Sequence, residues 1–376
     1  MKGYSSVAIR AGAELVYKSQ GSLLEICWYI LASTLVLRVR SWISQNNMLL
    51  SKVICCCLGV FSVAAYHSRI FSQDAEVKPA DSDGQTENAR SLFNLKTPTL
   101  GGTQVWTDHV WRRAWRVQQN SLTGHWRLID DHNIRQAWGT RAACQQELDK
   151  QVPDGNLDTQ RVVILMHGLM RTSNSMSGLG AEIRKAHPFT TIALEYASTR
   201  ASITEHAAAL REVIEGLPSQ VDISFIGHSM GNIVVRHAIG DWLRMEDAET
   251  LRRVKQVIML GPPNQGASIA RQLSKVGLFE FLTGPGGMEL GAGWNEFASR
   301  LATPHCPFGI VAGNLPPSLL ANPLVDGQGD FVVSVEETRL PGEADFLEVP
   351  RLHSFLMDDP VVQKAVIKFL DHNSFR

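Results

Sequence analysis

The run from Val221 to Val235 constrains this chain more than any other stretch. It reads as a short apolar segment, then Gly227-His228-Ser229-Met230-Gly231, then residues fit for a helix. A strand that turns sharply into a helix forces the residue at the bend into a strained conformation, and glycines two positions to either side let the backbones pass closely. Ser229 is thereby lifted clear of the strand. Its hydroxyl sits at the start of a helix, where free N–H groups and the helix dipole favour developing negative charge. The bare Gly-x-Ser-x-Gly pattern is common in loops; between a buried-type strand and a helix it is specific for a serine nucleophile.

Alternation of strand and helix surrounds this run. Val162–Met166 is a continuous apolar run of the kind found in a parallel strand covered on both faces. Met176, Leu179, Ile183 and Ala186 then recur at helical spacing until Pro188. Thr191–Leu194 is the next strand. Ser202 and Glu205 form a capping box for a helix whose apolar face is Ile203, Ala207, Leu210, Ile214 and Leu217. Beyond the serine run, Gln256–Leu260, Phe308–Ala312 and Phe346–Val349 supply further strands. Pro360 opens a last helix with Val362, Val366 and Phe369 turned inward. The pattern predicts an α/β fold with a doubly wound, mostly parallel sheet whose ligands bind at the carboxyl ends of the strands.

A serine hydroxyl needs a base to take its proton and a third group to orient that base. The loop after Leu260, Gly261-Pro262-Pro263-Asn264, has no carboxylate, so the acid is sought after the next strand, at Asp330 with Asp326 as fallback. His353 lies just beyond the last strand and before the last helix, whereas His305 precedes a strand and His372 sits in the tail. His228 is expected to pack under the site, and the ring of His167 to make a structural hydrogen bond. The backbone N–H groups of Leu169, after the first long strand, and of Met230 are the two candidate oxyanion donors.

With these residues in view, the chain from about Arg161 to Leu370 resembles the α/β-hydrolase superfamily, and within it the bacterial lipases and esterases with His-Gly after the first long strand and Gly-His-Ser-Met-Gly at the bend. The order Ser229, Asp330, His353 matches that family's order of nucleophile, acid and histidine. Tyr196–Arg200 and Gly261–Gly266 are also similar to its lipase-like members. The resemblance implies hydrolysis of a carboxylic ester through an acyl-enzyme. Two features depart from it: Phe331 stands where a glycine often follows the acid, and the region before residue 150 is outside the common core. Acyl transfer to another alcohol is the nearest alternative, and a non-catalytic binding module would have no use for Ser, Asp and His at three strand ends.

The remainder of the chain divides by composition. Residues 1–71 are an N-terminal apolar region, 72–100 a polar linker with Pro79 and Asp81-Ser82-Asp83-Gly84, and 101–150 a tryptophan-rich β extension. The hydrolase domain is 151–376, with a cap insertion near 265–305. Within the extension, Trp115–Gln118 and Trp126–Ile129 predict a hairpin turned at Asn120 and Gly124, its aromatics packed on the domain edge rather than forming a carbohydrate or lipid platform. Within the cap, Leu278, Phe279, Phe281 and Leu282 precede Gly284-Pro285-Gly286-Gly287, a composition equally suited to a lid and to ordinary packed helix.

Met48-Leu49-Leu50-Ser51-Lys52, an uncharged run from Val53 to Tyr66 and small residues near its end have the form of an export signal, with translation starting at Met48, or of a membrane anchor. Either places the hydrolase outside the cytoplasm, in the cell envelope or periplasm. Adjacent Cys55, Cys56 and Cys57 lack the preceding small residue of a lipid-attachment site, and Cys144 and Cys306 are expected as free thiols. No metal-ligand spacing appears and no cofactor is expected. With Lys+Arg 36 against Asp+Glu 37, a nucleic-acid partner is not indicated, and the expected substrate is a neutral or apolar ester, with a lipid surface as a possible partner.

Overall fold

Between residues 97 and 139 the chain forms a five-stranded antiparallel sheet from Thr97–Pro98 (β1), Trp106–Arg112 (β2), Trp115–Asn120 (β3), Trp126–Ile129 (β4) and Ile134–Gly139 (β5), in the order β1-β5-β4-β3-β2. The expected hairpin is β3–β4, where the Asn120 side chain accepts the N–H groups of Leu122 and Thr123, and Gly124 takes a positive φ of 71°. Thr97–Pro98 extend the sheet, so the extension begins before residue 101. Helix α1, Arg141–Gln151, packs on one face, capped by the Thr140 hydroxyl. Val117, Leu128, Ala137, Cys144, Leu148 and Val152 make a small separate core there. The tryptophans pack at its margins: Trp106 is buried beneath the Arg127 guanidinium, 4.0 Å from its ring centre, and meets Trp138 edge-on.

The computed structural model describes residues 97–99, 104–153, 160–273, 277–316, 325 and 327–376. The N-terminal apolar region and most of the linker lie outside them, as does Asp326. Among the described residues no helix is long and apolar enough to cross a membrane.

The second sheet has six strands, all parallel: Arg161–Met166 (β6), Thr190–Leu194 (β7), Asp222–His228 (β8), Val254–Leu260 (β9), Phe308–Gly313 (β10) and Asp345–Val349 (β11), in the order β11-β10-β9-β8-β6-β7. On one face Ser177–Ala186 (α2) and the last helix, Pro360–His372, cover a core that runs through Val163, Leu165, Ile226, Ile258 and Val311 to Leu179, Ile183, Val366 and Phe369. Each such side chain contributes roughly 1.5–3 kcal/mol by leaving water. Ile203–Glu215 (α3), with the expected Ser202–Glu205 capping box, and Met230–Arg244 (α4) contribute the buried residues of another layer; Trp242 of α4 stacks against Phe225 of β8.

Ala248–Arg253 (α5) leads into β9. The insertion between β9 and β10 is helical: Ser268–Leu273 (α6), Gly277–Leu290 (α7), kinked at Gly284, and Trp294–Phe297 (α8). A short helix, Val335–Thr338 (α9), precedes β11, and Pro360–His372 is α10. This is the α/β-hydrolase fold, with an added N-terminal antiparallel sheet and a small helical cap.

Candidate active site

Ser229 occupies the corner between β8 and α4 with φ 53° and ψ −124°, a region that costs a non-glycine residue on the order of 1–3 kcal/mol. The flanking glycines make the corner possible. A Cβ on Gly227 would fall 2.3 Å from the Asn232 side-chain oxygen, and one on Gly231 would fall 2.6 Å from the carbonyl oxygens of Met166 and His167. The Ser229 N–H donates to the Leu260 carbonyl (2.9 Å), and its own carbonyl accepts the Asn232 main-chain and side-chain N–H groups at 3.1 Å. Every other residue from Ile223 to Ile239 is buried; Ser229 alone is partly exposed.

The Asp330 carboxylate and the His353 ring meet although 23 residues separate them: Nδ1 of His353 lies 2.6 Å from Oδ2 of Asp330. The other carboxylate oxygen accepts the N–H groups of Val332 (3.0 Å) and Val333 (2.8 Å), so the acid is fully buried yet satisfied. The His353 main-chain N–H also donates to the Asp330 carbonyl, at 3.0 Å. A carboxylate can only accept from Nδ1, so the proton is on that nitrogen and Nε2 carries the lone pair. Nε2 is buried and has no hydrogen-bond partner among the described residues. Serine and imidazole both flank the Leu260–Gly261 corner: the serine N–H binds Leu260, and a Cβ on Gly261 would touch the His353 ring at 3.0 Å. Phe331, the departure from the family's usual glycine, has φ 84°, the left-handed backbone that glycine would adopt without strain.

The loop after β6 passes directly over the serine. A Cβ on Gly168 would lie 3.1 Å from Ser229 Cβ and 2.8 Å from His228 Nδ1, so the position admits no side chain without displacement. Neither the Leu169 N–H nor the Met230 N–H donates a hydrogen bond among the described residues, and Met230 opens α4, where the first N–H groups lack intrahelical partners. His228 packs beneath the site as expected. Its Nε2 donates to the His353 carbonyl (2.9 Å), its ring lies 4.8 Å from that of His353, and burial holds it neutral, well below the ordinary histidine pKa.

His167 is stacked on Tyr196, ring centres 4.0 Å apart, and its Nδ1 lies 2.9 Å from the Gly168 carbonyl. The Tyr196 hydroxyl donates to the His167 carbonyl. Burial pushes His167 down to about 3 and Glu195 up to about 7, so their 3.7 Å approach is not an ion pair. Glu195 instead accepts the Ser173 N–H (3.0 Å) and hydroxyl (2.6 Å). Sequence reading did not single out Glu195; nothing in the Thr191–Leu194 run marks the residue after it.

His305 is exposed and its Nε2 donates to the Leu251 carbonyl (2.8 Å), and His372 ends α10. Cys144 and Cys306 are free thiols. Asp130, Asp131 and His132 bring potential metal ligands within 4.8 Å, but Asp130 is committed to a turn, accepting the N–H groups of His132 and Ile134. In the cap, side chains of 277–282 lie outside the described residues, and Glu289 accepts the N–H of Ile203 at the start of α3 (2.7 Å).

A family model described as "Putative serine esterase (DUF676)" matches residues 156–273, from the approach to β6 through α6. It spans Leu169, Ser229 and Met230 and stops before Asp330 and His353. Strand order and the serine bend define the fold class, an α/β-hydrolase fold, and residues 156–273 within it are similar to a putative serine esterase family. No curated protein matches the sequence. Among solved structures, the chain is similar to a lipase of Bacillus licheniformis, BlEst2 in mature form (15% identity over 59% of this chain and 95% of that one, TM-score 0.43). It is similar also to a metagenomic carboxyl esterase, MGS0156 (20%, 54% and 67%, TM-score 0.39), and to the phospholipase PlaB of Legionella pneumophila (16%, 48% and 45%, TM-score 0.37).

Proposed function

We propose that the protein is a serine carboxylic-ester hydrolase acting through an acyl-enzyme, with Ser229 as nucleophile, His353 as general base and acid, and Asp330 as the group that orients and stabilises the imidazole. The observation that carries this reading is the 2.6 Å contact between His353 Nδ1 and buried Asp330, which leaves Nε2 as the basic nitrogen of a ring that flanks the same Leu260–Gly261 corner as the strained Ser229. In the first half-reaction Nε2 takes the Ser229 proton as Oγ attacks the ester carbon. The carbonyl oxygen becomes an oxyanion held by the N–H groups of Leu169 and Met230, each worth about 3 kcal/mol. The imidazolium then gives its proton to the departing alkoxide, and water, activated in the same way, releases the acid.

The near-neutral balance of charges favours a neutral or apolar ester, and the N-terminal apolar region favours an exported or membrane-anchored enzyme of the cell envelope, within reach of lipid. A fluorophosphonate probe tests the core of the reading. Labelling of the wild type with loss of labelling in a folded Ser229→Ala variant is expected; a folded wild type that takes no label would point to a binding module instead. A panel of esters of increasing acyl length would then define the substrate.

A further inference from the structure

A side chain at the start of the N-terminal antiparallel sheet reaches the loop that carries the Leu169 donor. Gln104, just ahead of β2, is half-buried and held at a positive φ of 58°. Its amide joins the two loops at the carboxyl ends of β6 and β7. The nitrogen donates to the Arg171 carbonyl, and the oxygen accepts the hydroxyls of Ser198 (3.0 Å) and Thr199 (3.2 Å). A main-chain carbonyl can only accept, so it fixes which end of the amide faces Arg171. With its proton given to Gln104, the Ser198 oxygen accepts the N–H of Met170, at 3.0 Å. Met170 is the residue after Leu169, and its own φ of 61° is strained. Arg171 in turn donates to the Ser354 carbonyl, one residue past His353 (3.0 Å).

A second bridge holds the far end of the same loop. Asp108 of β2 and Glu195 bind each other's backbone: the Asp108 N–H donates to the Glu195 carbonyl (2.9 Å) and the Glu195 N–H to the Asp108 carboxylate (2.8 Å). Gln118 of β3 donates to the other Asp108 oxygen at 2.6 Å, and the Glu195 carboxylate holds Ser173. Residues 168–173 are thus clamped at Met170–Arg171 by Gln104 and at Ser173 by Glu195, both supported by the sheet outside the hydrolase core.

We propose that Gln104 is a positioning residue for the oxyanion hole: through Ser198 and the Arg171 carbonyl it fixes the peptide that presents the Leu169 N–H to the reacting carbonyl oxygen. An oxyanion donor works by being in place before charge develops, and a displacement of about 1 Å costs on the order of a hundredfold. The N–H matters most when the oxygen is charged, so loosening its loop should act on the transition state and not on ester binding. The inference rests on the serine-esterase reading above.

The test uses the full-length protein and the variants Gln104→Ala, Ser198→Ala and the double variant, with active sites counted by fluorophosphonate titration so that kcat is expressed per competent serine. Both single variants are expected to lose about ten- to a hundredfold in kcat while KM moves less than about threefold. A boronic acid that becomes tetrahedral on Ser229 should weaken in parallel with kcat. Because both residues act in one relay, the double variant should lose no more than the larger single loss. An unaltered kcat per titrated site in either single variant, or additive losses in the double, would overturn the proposal; Ser198→Ala decides it should Gln104→Ala fail to fold. A wild type that neither takes the probe nor turns over any ester would remove the serine-esterase reading itself, and this inference with it.

Discussion

Asp330 holds His353 twice, its carboxylate on the ring Nδ1 at 2.6 Å and its main-chain carbonyl on the histidine N–H at 3.0 Å. The second contact fixes where the residue starts and the first fixes how the ring turns. Two loops that leave different strands, after β10 and after β11, are joined at the point where the imidazole must be oriented.

Replacing Asp330 by Asn keeps the shape and removes the acceptor's charge. Its amide can donate to Nδ1 and so favours the tautomer with the proton on Nε2, where no lone pair remains for the serine. A loss of about 10³–10⁴ in kcat is expected with near-wild-type unfolding. Ester turnover and thermal melts of the variant check this; turnover within about tenfold of wild type would show that the contact does not orient the base.

Gly231→Ala would place a methyl 2.6 Å from the carbonyl oxygens of Met166 and His167. Overpacking of this kind costs about 1–3 kcal/mol. Those carbonyls lead into the loop that carries Leu169, so activity per folded molecule should fall as well. A melting curve together with kcat per titrated serine measures both effects.

His167 and His206 are buried and neutral, each pushed down to about 3 by burial. The unfolded chain binds protons at these sites from about pH 6.5 downward while the native protein does so only near 3. Their contribution is therefore complete above pH 6.5 and lost on acidification towards 3. Glu195, raised to about 7, acts in the opposite sense: the native protein takes up its proton first, so this group favours the fold as pH falls from 7 towards 4.5. His206→Phe, which keeps a ring beside Tyr196, removes one of the buried neutral histidines. Its stability should fall less steeply below pH 6.5, by up to about 1.4 kcal/mol per pH unit. Urea midpoints across pH 4–7 give the slope, and parallel curves for the two proteins would contradict it.

Leu128 is fully buried in the small core between the antiparallel sheet and α1. Leu128→Ala should cost about 2–5 kcal/mol, read from chemical denaturation. Because β2 of this sheet holds Glu195 and Gln104 precedes it, kcat should drop before global unfolding as denaturant rises.

How legible all this was in sequence depended on how local each signal is. The strand before Ser229, the glycines around it and the Ser202–Glu205 box each lie within a few residues, and all three appear in the fold as read. Asp330 and His353 could be placed because parallel strands deliver their loops to one edge, so chain order substitutes for distance. Helix α1 was hidden because its sequence, Arg-Ala-Ala-Cys-Gln-Gln-Glu-Leu-Asp-Lys-Gln, buries only Cys144 and Leu148 and has almost no apolar stripe. Strand β5 carries Arg135 and Gln136 and lacks clean alternation. The Asp108–Glu195 pairing joins residues 87 apart, by one bond between backbone groups and one from the Glu195 N–H to the Asp108 carboxylate, and nothing in the sequence local to either residue marks the other.

Hydrolysis through an acyl-enzyme requires that Ser229 become covalently acylated. Rapid acid quench of the protein during turnover of an activated ester, followed by peptide mass analysis, reads this directly. One acyl group per molecule is expected, on the peptide containing Ser229, persisting longest in His353→Ala where a trace of acylation survives. An acyl group on another residue, or ester turnover undiminished in Ser229→Ala, would contradict it.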